Sequence, residues 1–346
     1  MAVYTHLSDK EIRNFLTDYD IGQLLDFSEI AEGVENSNFL LTTSSDKYIL
    51  TLYEKRVDPH DLPFFLKLLS HLANAGLSCP LPVKGIDGNA LRTLGGKPAA
   101  IVTYLQGSWP RQTTLDHCKA LGSAMAIMHE FGKSFQGTRT NALTLTAWRP
   151  LLDSCRLHEW EIYNNLFNEL NRELNWLEAN WPKSLPSGII HADLFPDNVF
   201  FKDDNLSGVI DFYFACNDFL AYDIAVCINA WCFDENELFD LKKSSCILSA
   251  YTEIRTLSKE EIASLPVLIR GSAIRFLLTR LYDWLNHPED ALVKPKDPMS
   301  YLKKLRFHQQ LSDASNMVPS YSLLTRRQQF QKLQLLREKH MAEPTM

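Results

Sequence analysis

The sequence predicts an α+β chain of two lobes, a small antiparallel sheet followed by a mostly helical domain. Three observations carry that reading. Short β-branched and aromatic runs fill the first hundred residues, whereas apolar residues recur at helical spacing afterwards. Gly107-Ser108-Trp109-Pro110 breaks the chain between the two patterns. One aspartate-rich island, 189–212, interrupts the helices. The 346 residues are enough for about two domains, set here at 1–106 and 107–312, with a tail at 313–346.

Ser8-Asp9-Lys10-Glu11 is a capping box, and Ile12, Phe15, Leu16 and Tyr19 follow at helical spacing, so a short helix opens the chain. Three strands are expected at 26–33, 38–43 and 48–54, the last two separated by the turn Ser44-Ser45-Asp46-Lys47. Residues 61–75 read as a helix closed by Gly76. Asp87-Gly88 and Gly95-Gly96 punctuate two further strands, roughly 83–94 and 98–105.

Beyond the break, Leu115, Cys118, Leu121, Gly122, Met125 and Met128 mark one apolar helix face. Segments 156–180, 219–232, 237–254, 259–286 and 299–311 also have helical period, and 322–340 reads as a charged peripheral helix. Within the island, Val199-Phe200-Phe201 and Gly208-Val209-Ile210 flank the polar turn Asp203-Asp204-Asn205 as strand-like pieces.

Composition narrows the function classes. Hydrophobic residues at 45% and charged residues at 22% are ordinary for a globular chain. The net charge of −7 argues against a nucleic-acid groove. No run of 18 uncharged apolar residues is present, so no membrane span is expected. The first residues lack a basic segment followed by an apolar one, so no secretory signal is visible. Seven cysteines with no C-x-x-C pair argue against a disulfide framework or zinc knuckle and fit a reducing cytoplasm.

The chemistry concentrates at His191-Ala192-Asp193-Leu194-Phe195-Pro196-Asp197-Asn198 and Ile210-Asp211-Phe212. Between 191 and 223 stand seven aspartates and one lysine, a local charge of −6. Carboxylates crowded together need a cation to stay ionised. Asp and Asn without a His/Cys cluster suit a hard, oxygen-seeking ion such as Mg²⁺. An Asp followed five residues later by Asn, and thirteen after that by Asp, is a phosphotransferase spacing: one Asp orients and deprotonates a hydroxyl while the other two hold Mg²⁺ on a triphosphate. No G-x-x-x-x-G-K-[ST] exists, because Gly132-Lys133-Ser134 lacks the upstream glycine, so a P-loop ATPase is excluded.

His191-x-Asp193-x-x-x-x-Asn198 with Asp211 resembles the aminoglycoside phosphotransferase branch of the protein-kinase-like superfamily. The flanking phrases Glu32-Gly33-Val34-Glu35-Asn36-Ser37-Asn38-Phe39, Tyr48–Glu54, Asp61–Phe65, Tyr213–Asp218, Ala221–Ala225 and Arg275–Trp284 narrow the resemblance to the type II homoserine kinases, over residues 1 to about 312. The resemblance implies a two-lobed kinase-like fold. It makes Asp193 the catalytic base, Asn198 and Asp211 the Mg²⁺ ligands, and His191 and Asp223 buried struts of the catalytic loop. The substrates implied are ATP and L-homoserine, with no protein, nucleic-acid or membrane partner. Gly33, Asn36 and Asn38 are candidates for covering the nucleotide. Tyr104 and Gln106 fall where a kinase hinge would meet adenine.

Arg275 and Arg280 are candidates for the substrate carboxylate, and Asp218 or Asp223 for its ammonium. One departure stands out: where a kinase strand carries a phosphate-pairing lysine, this chain has Thr51. Lys47 and Lys55 are the nearby cations, and Asp61 is the acid of the following helix. The rival readings are a kinase of the same fold acting on an aminoglycoside, choline or methylthio-sugar, a metal-dependent phosphohydrolase, and a non-catalytic nucleotide-binding pseudokinase.

Overall fold

Ser8 opens the first helix through its capping box. Its side chain accepts the Glu11 N–H, the Glu11 carboxylate accepts the Ser8 N–H, and helix α1 (Asp9–Leu16) buries Ile12, Phe15 and Leu16. The computed structural model describes residues 5–30, 36–54, 58–155, 161–287 and 294–311. The helix expected over 322–340, the loop glycine Gly33 and Lys55 lie outside them.

Five strands form one antiparallel sheet in the order β1-β2-β3-β5-β4: β1 Leu24–Ile30, β2 Ser37–Thr43, β3 Lys47–Leu52, β4 Leu91–Leu94 and β5 Lys97–Thr103. Alternation along β2 sends Phe39 and Leu41 to one face, where they meet Leu50 and Leu52 of β3, Ile101 of β5 and the apolar side of α1. This small core fixes the register Asn38↔Thr51 on the β2–β3 ladder. The expected strand at 83–94 is shorter than the sequence suggests, only Leu91–Leu94. Asp87 Oδ1 accepts the Asn89 N–H and Gly88 N–H bonds to Gly85, so a side-chain-supported turn displaces the ladder before β4.

Helix α2 (Leu62–Asn74) lies between β3 and β4 and ends as Gly76 demands: Leu77 N–H reaches Leu72 O and Gly76 N–H reaches Ala73 O, with Gly76 at φ 101°. The second lobe holds α3 (Leu115–Gly132), α4 (Leu145–Ser154), α5 (Glu161–Asn180), α6 (Leu220–Trp231), α7 (Leu241–Thr252), α8 (Lys259–Leu285) and α9 (Met299–Gln309). Helix α4 is unanticipated by the pattern, since Pro150 lies inside it and its buried residues are Trp148 and Leu152. Two short antiparallel pairs complete the lobe, β6 (Ser187–Ile190) with β9 (Cys216–Phe219) and β7 (Val199–Lys202) with β8 (Asn205–Val209). The β7–β8 hairpin matches expectation. The β6–β9 pair does not appear in the pattern, because strands of four residues are too short for alternation to register.

Among the described residues α8 is long and apolar enough to cross a membrane by length and composition, but most of that stretch is buried against α4, α5, α6 and α9. It is the central core helix of this lobe. At Gly107, a φ of 112° puts the site of a Cβ 2.5 Å from Phe201 O. Only glycine lets the chain approach β7 there, where Ser108 and Phe201 exchange both backbone hydrogen bonds.

Candidate active site

Strand β6 runs straight into the catalytic-loop candidates. His191 and Ala192 follow its last residue, and both backbone N–H groups point at one buried carboxylate: His191 N–H to Asp223 Oδ2 and Ala192 N–H to Asp223 Oδ1, each 2.7 Å. Asp223 sits in the first turn of α6, and His129 Nε2 of α3 lies 3.2 Å from Oδ2. Burial by itself would raise the Asp223 pKa, but His129 and the bonds from the loop hold it below the usual carboxylate value. Ala192 has φ 64°, a left-handed conformation that costs a non-glycine residue about 1–2 kcal/mol. It is held from both ends, its N–H by Asp223 and its carbonyl by the Arg275 guanidinium of α8.

The His191 ring ties the two halves of the motif together. Its Nδ1 accepts the Asp193 N–H at 3.2 Å, and Nε2 lies 2.9 Å from Ile210 O, the carbonyl just before Asp211. Those partners set the tautomer with the proton on Nε2. Burial lowers the His191 pKa and keeps the ring neutral, as its accepting Nδ1 requires. Asn198 ends a 3-10 turn and donates through Nδ2 to Asp193 O at 2.8 Å and Asp193 Oδ2 at 3.1 Å. This bond fixes the amide's rotation and turns its Oδ1 away from Asp193. Asn198 O in turn accepts the Ile210 N–H. Asp211 is exposed, at φ 64° and ψ 61°, so the chain turns sharply where its carboxylate is presented. Asp193, Asn198 and Asp211 are thus gathered through His191 and the Asn198–Ile210 bond. Asp203 and Asp204 face solvent, and Asp197 pairs at 3.2 Å with Lys296 at the surface.

This donor set suits a cation that arrives with a nucleotide. Among the described residues no group of three or more His, Cys, Asp and Glu converges as a resident metal cage. One carboxylate and one amide oxygen, completed by phosphate oxygens and water, are what a Mg²⁺ carried on a triphosphate takes from a protein.

The opposing wall comes from β2 and β3. Asn38 Oδ1 accepts the Thr51 hydroxyl at 2.8 Å, and Asn36 Oδ1 accepts the Glu54 N–H at 3.2 Å, so both amide oxygens are tied to the neighbouring strand. Across from Thr51 stands Tyr213, two residues after Asp211. Its hydroxyl lies beside that of Thr51 and 3.2 Å from that of Tyr53, and burial pushes its pKa up to about 12. The position of a strand lysine is therefore filled by neutral hydroxyls. Lys47 instead lies 5.9 Å from the Tyr104 ring, at the lobe junction. Tyr104 is exposed there, and the Gln106 side-chain oxygen accepts Lys202 Nζ of β7 at 2.7 Å.

The candidate acceptor-side residues separate. Arg275 is 2% exposed and donates through Nη1 to Ala192 O, so it supports the loop from behind and is not presented to a substrate carboxylate. Asp218, in β9, accepts Asn141 Nδ2 at 2.6 Å and the Phe219 N–H at 2.7 Å, which commits it to the β9 surroundings; burial raises its pKa. Asp223 is likewise consumed by the loop N–H groups, as a strut and not as an ammonium ligand. Arg280 does reach the loop, 5.9 Å from the Phe195 ring and 4.4 Å from that of Tyr301. Sequence reasoning missed Lys296, which stands 5.5 Å from the same Phe195 ring. It missed His129 as well. Neither lies in a motif, and only the tertiary fold brings them to the loop.

The sequence matches the phosphotransferase enzyme family over residues 26–254. It is 57% identical to a homoserine kinase of Paramagnetospirillum magneticum over 89% of this chain and 97% of that one. Against a homoserine kinase of Sinorhizobium fredii the identity is 56%, over 89% and 94% of the two chains. Solved structures of similar fold include an amicoumacin kinase bound to AMP-PNP and Ca²⁺, with a TM-score of 0.64 at 14% identity over 91% of this chain and 96% of that one. An ethanolamine kinase of Plasmodium vivax aligns with a TM-score of 0.59 at 18% identity over 82% of each chain. The chain belongs to the phosphotransferase enzyme family and, within it, to the homoserine kinases.

Proposed function

From that membership we propose that the protein transfers the γ-phosphoryl group of ATP to the side-chain hydroxyl of L-homoserine, giving O-phospho-L-homoserine for threonine biosynthesis. The observation that carries the reading is the 57% identity to a homoserine kinase across nearly the whole of both chains. The geometry of the 191–211 segment supports it. Asp193 is the base: its carboxylate is partly exposed, fixed on one side by Asn198, and positioned to orient and take the acceptor's proton. Asn198 and Asp211 hold Mg²⁺, which when bound neutralises charge on the triphosphate. His191 and Asp223 keep these three groups in register, so catalysis rests on positioning more than on covalent chemistry. We propose the lobe boundary after Gln106, and the close approach of Gly107 to β7 supports it.

On the acceptor side Arg280 and Lys296 flank Phe195, two residues beyond Asp193. Arg280 supplies a cationic donor for the substrate carboxylate, while Lys296 beside it is paired with Asp197 at 3.2 Å. L-Serine is shorter by one methylene, so with the amino-acid end clamped its hydroxyl falls about 1.5 Å short of Asp193. A misplacement of that size costs roughly 10²-fold in rate. The test is kcat/KM for homoserine, serine, threonine, choline and an aminoglycoside under one Mg·ATP condition. Homoserine should lead. Preference for a non-amino-acid acceptor would overturn the substrate while leaving the phosphotransferase site standing. Arg280→Ala should raise KM for homoserine and leave KM for ATP within about twofold, since it removes binding on one side only.

A further inference from the structure

The acid at the start of α2 has a partner that the sequence motifs do not indicate. Asp61 is the N-cap of α2, yet its side chain caps no helix N–H. It accepts Nε of Arg139 at 2.6 Å. Arg139 belongs to the other lobe, in the loop after α3, and it is anchored there at three further points. Its N–H donates to Asn217 Oδ1 at 2.8 Å, its carbonyl accepts the Asn217 N–H at 2.7 Å, and Nη1 donates to Ala215 O at 3.2 Å. Its guanidinium also lies 5.0 Å from the Phe65 ring of α2. Phe65 in turn meets Tyr213 edge-on at 5.7 Å, and Tyr213 touches Tyr53 at the end of β3.

These contacts hold the residues that directly follow Asp211, whose own side chain stays exposed. The segment that presents it, 211–217, is gripped at Tyr213 by β3 and α2 and at Ala215 and Asn217 by Arg139. In kinases a strand lysine paired with a helix acid links the phosphates to the helix. With Thr51 on the strand, that position supplies no lysine for such a pair. We propose that Arg139 is a positioning residue for the metal-binding segment, coupling α2 to residues 211–217 through Asp61 and thereby setting the affinity for Mg·nucleotide. The linkage between helix and metal site runs through the helical lobe in place of the strand. Its side chain and that of Asp61 are 20% and 34% exposed, so the pair is reachable by mutation without opening a core.

The inference rests on Asp211 as a metal ligand. Its test is therefore binding of Mg·ADP by calorimetry, which needs no acceptor, together with Mg²⁺ titration of turnover at fixed ATP. The proteins are wild type, Arg139→Ala, Arg139→Lys and Asp61→Asn, with Asp211→Ala as a control. Losing one charge-assisted bond predicts about tenfold weaker Mg·ADP binding and a matching rise in half-saturating Mg²⁺ for Arg139→Ala. Asp61→Asn should lose about threefold, because the neutral amide removes the charge while Arg139 keeps Ala215 and Asn217. Arg139→Lys, which retains the charge without the fork, should fall between wild type and Arg139→Ala. KM for homoserine should move by less than about twofold in all three. Folded variants with unchanged Mg·ADP affinity overturn the proposal. So does an equal loss in homoserine KM, which would mark a general structural defect. Should Arg139→Ala fail to fold, Asp61→Asn decides. An Asp211→Ala control with unaltered Mg²⁺ dependence would instead sink the metal-site reading, and this inference with it.

Discussion

The two walls of the candidate cleft are held by different forces. Residues 191–223 hang on buried charge: one carboxylate, Asp223, takes two loop N–H groups at 2.7 Å and faces His129, while Arg275 grips Ala192 from the other side. Among the described residues the β2–β3 wall has no charged group at Thr51; its ion pair, Glu54 with Lys97, lies beyond the end of β3. Thr51, Asn38, Tyr53 and Tyr213 make a neutral hydroxyl and amide network on an ordinary antiparallel ladder. The contrast follows from what each wall must hold. Four non-glycine residues of this segment are left-handed, Asp203 and Asp204 in the hairpin turn and Ala192 and Asp211 beside the site, and left-handed backbone persists only where neighbours over-determine it. Hydrogen bonds to charged groups, each worth about 1.5–3 kcal/mol, supply that constraint. The β2–β3 ladder is unstrained and needs only its register.

If this contrast is right, the largest effects of mutation lie on the charged wall. Asp193→Asn is expected to cut kcat by roughly 10²–10⁴-fold, the usual worth of a positioned base, with Mg·ADP binding nearly unchanged. A variant keeping a tenth of the wild-type rate would remove Asp193 from that role. Asp223→Asn comes next. It breaks a buried charged network and places an N–H₂ against loop donors, at a cost of about 3 kcal/mol. Urea unfolding should show the loss, and turnover should fall with it because the loop is no longer tied. Wild-type stability in this variant would mean the loop holds its own conformation.

Acid should weaken the helical lobe before the sheet lobe. His308 of α9 donates through Nε2 to Asn229 Oδ1 (2.9 Å) in the core, and burial, with Lys304 and Arg270 near by, pushes its pKa down to about 3. The folded form keeps it neutral, whereas the unfolded chain protonates it below about pH 6.5. Stability is therefore full above that pH and falls, by at most about tenfold in the folding equilibrium per pH unit, as pH drops toward 3. Asp223, whose folded pKa is lowered, adds its own loss only below about pH 4, where the unfolded carboxylate protonates. Comparing urea midpoints at pH 7 and 5 for wild type and His308→Gln checks the first window: the variant should lose less on acidification. The smallest effect is expected on the neutral wall. Thr51→Val deletes one neutral hydrogen bond and should raise KM for ATP by no more than about threefold. A tenfold loss would break the contrast by showing that Thr51 meets the phosphates.

Much of this molecule is legible in its sequence because the determinants are local. The Ser8 capping box, the Gly76 helix stop, the β-branched run of β3 and the turn at Asp203–Asn205 each depend on residues within a few positions of one another. The spacing of Asp193, Asn198 and Asp211 is legible for the same reason: a 3-10 turn and one hairpin span it. The family followed from those motifs and the phrases around them. Where local rules conflicted, the sequence misled. A side-chain turn at Asp87 shortened the strand read at 83–94, and Pro150 hid α4.

Only the tertiary structure decided which charges face the site. Arg275 and Arg280 look equivalent on one helix, but their separation of five residues sends one under Ala192 and leaves the other beside Phe195. Lys296, His129 and Arg139 reach the site from segments about 75 to 100 residues away in sequence, and no periodicity or motif encodes such a meeting. The physical reason is that a charge's role depends on what it is buried against and which unpaired backbone groups lie within about 3 Å, and that is set by the packing of α3, α6, α8 and α9 as a whole.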